Sequence, residues 1–278
     1  MIKVAQLVPF IEQALRDIDP FIYISRKRRR GATVPLAWLL AAVIWFAASG
    51  MSCWKRYVAL LLPAQLSRWR LSYSRWSFWR VQLGGLIEAL AERLCLKQGF
   101  NGEAFIDSTT LPVCAIQRER DHKCFKAHAS KGCGSLGWFY GLKLHLIASA
   151  EGEVLRFCLS TGKTHDTQPL FDRNFMRGLT GLLVGDSGYR VRPARRAGIA
   201  KDDGLTLIVR PVGVTDEQMP WPLRKLFKDR WRIESLFGEL KENLGLRLTK
   251  RCKTLETFKA VVGSSLIIYT LERRLSRA

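Results

Sequence analysis

The chain has 278 residues, 47% hydrophobic and 25% charged, which is enough for one large core or two modest ones and excludes a disordered polymer. Lys and Arg number 45 against 24 Asp and Glu, so the net charge is +21 and the isoelectric point is near 10.2, a balance that attracts polyanions such as nucleic acid or an anionic surface. Seven cysteines, an odd number with no C-x-x-C and no secretory leader before them, speak against a disulfide framework and for a reduced, cytoplasmic setting.

An amphipathic helix is expected over Val4 to Arg16. The basic run RKRRR at 26–30 then precedes 21 uncharged residues from Val34 to Trp54, which have the length and flank of a membrane span. Pro35, Ser49, Gly50 and Ser52 interrupt that span and no second one follows, so a buried helix in a helical domain is the better reading. A short helix around Lys55 to Leu62 comes next. After Pro63, Ser72 or Ser74 can cap a long helix reaching about Cys95. A short helix, a break and a capped helix with Arg75, Trp76, Trp79 and Arg80 in its first turns resembles a helix-turn-helix, with Arg75 and Arg80 as candidate DNA contacts.

At Gln98-Gly99 the period changes from helix to strand, which sets a domain boundary: 1–98 helical and 99–278 mixed. A β run covers 104–113, and a polar, basic, glycine-containing stretch covers 117–137. Residues 141–150 and 153–161 read as a hairpin turning at Glu151-Gly152. THDTQPLFDRNF (164–175) is expected to enter a helix, and GLLVGDSGYR is a buried strand ending at Asp186. A helix over 191–200, a strand from Leu205, one helix over 223–245 and a last helix from Leu255 to Leu275 complete the chain. Hairpin strands followed by alternating helix and strand give a mixed sheet with flanking helices, the layout of the RNase H-like fold.

Asp107 in AFIDSTT and Asp186 in LLVGDSGY stand inside otherwise apolar strands, where an unpaired carboxylate costs several kcal/mol, of order 3 or more, unless a cation compensates it. On the helix DRWRIESLFGELK, Leu226, Ile233, Leu236, Phe237, Leu240 and Leu244 make one apolar stripe. Phe227, Arg230, Glu234 and Lys241 share a second stripe bordering it. A carboxylate at the lip of a core, flanked by two cations, suits a third acid closing a Mg²⁺ site on the sheet below. An ordinary Arg230–Glu234 ion pair accounts for the same spacing with less. The cluster His122, Cys124, His128 and Cys133 matches no structural zinc spacing.

With these residues in place, the chain resembles the DDE transposases of bacterial insertion sequences, and most closely their nine-eighty-two group. The matching segments are IDST, GWFYGLKLHLI, GDSGY and RIESLFGELKENLGL, with 47 residues between Asp186 and Glu234. The signature Y-x2-R-x3-E-x6-K of neighbouring groups reads here Phe227, Arg230, Glu234, Lys241, every spacing kept and one hydroxyl lost. The resemblance implies that Asp107, Asp186 and Glu234 hold two Mg²⁺ or Mn²⁺ ions for cleavage of element ends and transfer into target DNA. It implies double-stranded DNA partners, a homodimer in the DNA complex, no membrane, and a cytoplasmic, nucleoid-associated place. Arg230 and Lys241 would contact phosphates near the scissile bond. Lys143, His145 and the His165-Asp166 pair sit in family-like segments, and for Lys143 and His145 the exposed face of an alternating strand is an equal reading. An inactivated DNA-binding relative, or an RNase H-like nuclease that cuts without joining, is the alternative function.

Overall fold

The computed structural model describes residues 3–18, 34–67, 69, 71–95, 100–134, 137–200 and 204–276. The basic run 26–30 and the Gln98-Gly99 boundary lie outside them. The chain divides into two compact units, Met1–Cys95 with Glu239–Ala278, and Leu96–Gly238.

In the first unit, α1 (Val4–Ile18) buries Val4, Leu7, Val8, Ile11, Ala14 and Leu15, the i, i+3, i+4 stripe that its sequence carries. Helix α2 (Leu36–Ala48) is the middle of the uncharged stretch and is buried continuously from Leu39 to Ala48. It stops at Ser49, where Gly50 takes φ +68. No helix among the described residues is long and apolar enough to cross a membrane. Residues 54–65 form short α pieces around a π turn at Tyr57–Leu61, and the Tyr57 hydroxyl donates to the carbonyl of Ala42.

Of the two serines able to cap the next helix, Ser72 does so, accepting from the N–H of Arg75 at 3.3 Å. The single long helix expected there is two: α3 (Tyr73–Gln82) and α4 (Gly84–Cys95). The break has a packing cause. A Cβ on Gly84 would stand 2.1 Å from the carbonyl oxygen of Glu256, so the backbone itself meets the last helix here. That last helix, α7 (Leu255–Leu275), is capped by Thr254 and buried over Phe258, Val261, Val262, Leu266 and Ile268, and it packs on α2 and α4. The sequence reading kept 239–278 with the strands; by packing, these residues go with the N-terminal helices. The middle of α7, Phe258 to Leu271 apart from Lys259, is buried, and α2 and α4 supply surfaces that cover it.

The second unit is built on β1 (Phe100–Cys114), β2 (Ser130–Gly134), β3 (Gly137–Ser149), β4 (Val154–Thr161), β5 (Leu179–Gly185) and β6 (Leu205–Val209). Antiparallel β3 pairs with β1, and successive stretches of it pair with β2 and then β4. On the other side of β1, β5 and β6 add in parallel, giving the order β2-β3-β1-β5-β6 with β4 beside β3. This mixed sheet with flanking helices is compatible with the RNase H-like layout. The hairpin of β3 and β4 turns through Gly152 at φ +77, as its sequence indicated.

Strand β2 had no sequence signal, because SKGCG offers no apolar alternation. Its place depends on close approach: a Cβ on Gly132 would lie 2.0 Å from the carbonyl oxygen of Gly162. The helices expected at 164–175 and 191–200 are mostly 3-10 turns, Gln168–Phe171 and Pro193–Gly198, with a four-residue helix at Arg173–Met176. One face of the sheet carries a core of Ile106, Ile147, Leu155, Leu170, Leu183 and Tyr189, where each large side chain contributes about 1.5–3 kcal/mol.

Candidate active site

Parallel pairing of β1 with β5 aligns Phe105 with Val184. Two residues further along each chain stand Asp107 and Asp186, past the last paired residues of these two strands, and Asp186 acts electrostatically on Asp107. Asp107 is still inside β1, opposite Leu146 of β3. Asp186 follows β5 directly, and its Oδ1 accepts from the N–H of Gly188 at 2.9 Å as it caps the turn Ser187–Tyr189. A Cβ on Gly188 would lie 3.0 Å from that same oxygen, and one on Gly185 would lie 3.0 Å from Cβ of Tyr189. The two glycines of GDSGY thus let the chain turn tightly around the carboxylate.

The Asp107 side chain is only 20% exposed. Burial pushes its carboxyl up from 3.8 to about 6; Asp186 and Glu234 push the same way, while the Arg230 guanidinium and the Ser108 N–H oppose them. The N–H of Ser108 donates to Oδ1 at 2.8 Å, and Nη2 of Arg230 lies 3.6 Å from Oδ2. Asp107, Asp186, Glu234 and Arg230 therefore share one electrostatic neighbourhood.

The helix expected over 223–245 is two helices. Pro222 starts α5 (Trp221–Asp229), which ends at Arg230, and α6 (Trp231–Glu242) begins on the other side of it. The joint puts Arg230, 12% exposed, against Asp107, so its partner is a strand residue and not Glu234. Glu234 lies in the first turn of α6 and is exposed, next to buried Ile233, Leu236 and Phe237. Lys241 is half-buried in the last turn of the same helix. Phe227 is buried under the guanidinium of Arg210, 5.9 Å from the ring centre, at the place where neighbouring groups have Tyr.

Lys143 and His145 are not on an exposed strand face: β3 is buried on both sides, with Lys143 6% and His145 0% exposed. Nζ of Lys143 donates to Oδ1 of Asp166 at 3.0 Å and to the carbonyl of Thr164 at 3.1 Å. Ser108, next to Asp107, donates from Oγ to the same Asp166 oxygen at 2.8 Å. His145 Nε2 meets Ser160 Oγ at 2.7 Å, its Nδ1 has no hydrogen-bond partner, and burial lowers its pKa to about 4. His165 Nδ1 meets Thr167 Oγ1 at 2.8 Å. Asp166 is the site neighbour that sequence reasoning left without a role; its signal was only its place in THD.

In the helical unit Arg75 is exposed near the start of α3. Arg80 is turned inward, its guanidinium 4.9 Å from the Trp54 ring centre and 5.3 Å from that of Phe46.

Asp186 and Glu234 both raise the proton affinity of Asp107, and carboxylate oxygens are the donor type that Mg²⁺ or Mn²⁺ takes. Among the described residues no three His, Cys, Asp or Glu side chains are gathered closely enough to hold an ion by themselves.

A family model described as a transposase DDE domain matches residues 97–254, more than half of the chain. Comparison with curated proteins and with solved structures gives no match.

Proposed function

The chain belongs to the DDE-domain transposases, and on that premise we propose that it cuts the ends of an insertion sequence of the nine-eighty-two group and joins them to target DNA. Asp107, Asp186 and Glu234 would hold two Mg²⁺ or Mn²⁺ ions, which supply charge stabilisation for the attacking and leaving oxygens of a phosphodiester. The observation that supports this reading is that Asp186, Glu234 and Arg230 all act on the carboxyl of Asp107.

The chain's own groups have distinct tasks in this proposal. Arg230 offsets the charge at Asp107 while the site is free of metal and of DNA. Lys241, two turns beyond Glu234 on one helix, and Arg230 then position phosphates beside the scissile bond. The helical region up to residue 98 recognises the terminal inverted repeats, with Arg75 facing outward for a phosphate. The strand-bearing region from 99 provides the chemistry, and a homodimer would bring two ends together in the cytoplasm, at the nucleoid.

The test is Mg²⁺-dependent nicking of labelled element-end DNA, beside a gel shift on the same substrate. Asp107→Asn, Asp186→Asn and Glu234→Gln each keep shape and lose charge, so cleavage should disappear while binding stays. Normal cutting by the Glu234→Gln protein would defeat the assignment. Cut 3′ ends that are never joined to a second DNA would mark a nuclease without strand transfer.

A further inference from the structure

Four cations of the helical unit converge on one cleft of about 390 Å³: Lys55, Arg80 of α3, and Arg251 and Lys253 just before α7. No Asp or Glu lines it, and none of the four has a carboxylate partner among the described residues. Two of the four are held in place. The Arg80 guanidinium packs over the touching Trp54 and Phe46 rings, where burial lowers its pKa, and Arg251 donates to the carbonyl of Ser52. Ser77 and Thr254 add hydroxyls to the wall, and Thr254 is the N-cap of α7, a 21-residue helix.

Like charges held together without a counter-charge repel, and the repulsion is relieved when an anion enters. Preorganised guanidinium groups also lose little freedom on binding phosphate. We propose that this cleft binds a backbone phosphate of the element-end DNA. The proposal rests on the transposase reading and deepens it: the end-recognition surface includes Arg251 and Lys253, which stand about 170 residues beyond α3 in sequence and reach it only by folding.

The full-length protein is compared with Lys55→Ala/Lys253→Ala and Lys55→Arg/Lys253→Arg by fluorescence anisotropy on a labelled element-end duplex over a salt series. The alanine pair should lower the log–log salt slope by up to about 1 and weaken binding roughly tenfold, and the arginine pair should keep both. Arg251→Glu is the second variant and should weaken binding further still. Both lysines are exposed, so the alanine pair should melt as wild type does. At saturating DNA the alanine pair should still nick with Mg²⁺. An unchanged slope in a protein that melts normally and nicks overturns the cleft and leaves the transposase reading standing. Inorganic phosphate that raises the melting temperature of wild type alone, with the duplex slope equal in all variants, overturns it in favour of a free-anion site.

Discussion

Asp107 and Arg230 face one another at 3.6 Å, one from inside strand β1 and the other from the joint between α5 and α6. A strand acid that burial disfavours is thereby tied to the helix pair that carries Glu234. Burial still dominates, since the Asp107 carboxyl sits at about 6 despite the nearby cation.

The first prediction concerns stability against pH in chelator-treated protein. Between 3.8 and about 6 the folded state keeps a proton on Asp107 that the unfolded chain has released. The folded state binds more protons there, so stability falls as pH rises through that window, by up to about 3 kcal/mol. Asp107→Asn removes the penalty and should melt higher than wild type at neutral pH while failing to nick. Thermal melting from acid to neutral pH checks this; parallel curves for the two proteins would refute it.

Removing the Arg230 cation should move the chemistry in a readable direction. In Arg230→Gln, burial and the two other acids act on Asp107 unopposed, and its pKa rises above about 6. Nicking at neutral pH should fall at least about tenfold, and the acidic limb of the pH–rate profile should move upward. Lys241→Ala should lower the rate without moving that limb, because the cation set against Asp107 is Arg230. A profile shifted equally by both variants would contradict the assignment.

Arg75 and Arg80 should separate. Exposed Arg75→Ala should reduce the salt slope of DNA binding by about 1 and leave the melting temperature alone. Arg80→Ala also uncovers the Trp54 and Phe46 rings, so it should cost about 1–3 kcal/mol of stability besides weakening DNA binding. Melting curves beside the salt series distinguish the two effects.

Asp166→Asn should destabilise the protein by about 3 kcal/mol, because it leaves the Lys143 ammonium buried with no charge to balance it. Lys143→Met/Asp166→Asn, which removes both charges, should recover much of that loss. Denaturant titration of the single and double variants measures the coupling, and additive losses would show that the pair is not one unit.

Much of this was legible in the residues. The hairpin through Gly152, the Ser72 cap and the helix Leu255–Leu275 follow from local patterns, and local patterns are what side-chain periodicity and caps record. Asp107 inside one apolar strand and Asp186 at the end of another were conspicuous for a similar reason: a carboxylate in an apolar run is expensive wherever burial follows.

Other features were decided only when distant segments met. The division of the long helix at Gly84 depends on Glu256, strand β2 depends on Gly162, and the partner of Arg230 is Asp107, 123 residues earlier, although Glu234 stands at helical spacing beside it. The burial of Lys143 follows from strands on both edges of β3 and from its bond to Asp166. The cationic cleft draws Arg251 and Lys253 to Arg80. Sequence spacing sets which side chains share a face of one element, but which faces meet is a property of the packed whole, where desolvation and charge pairing are summed over all neighbours at once.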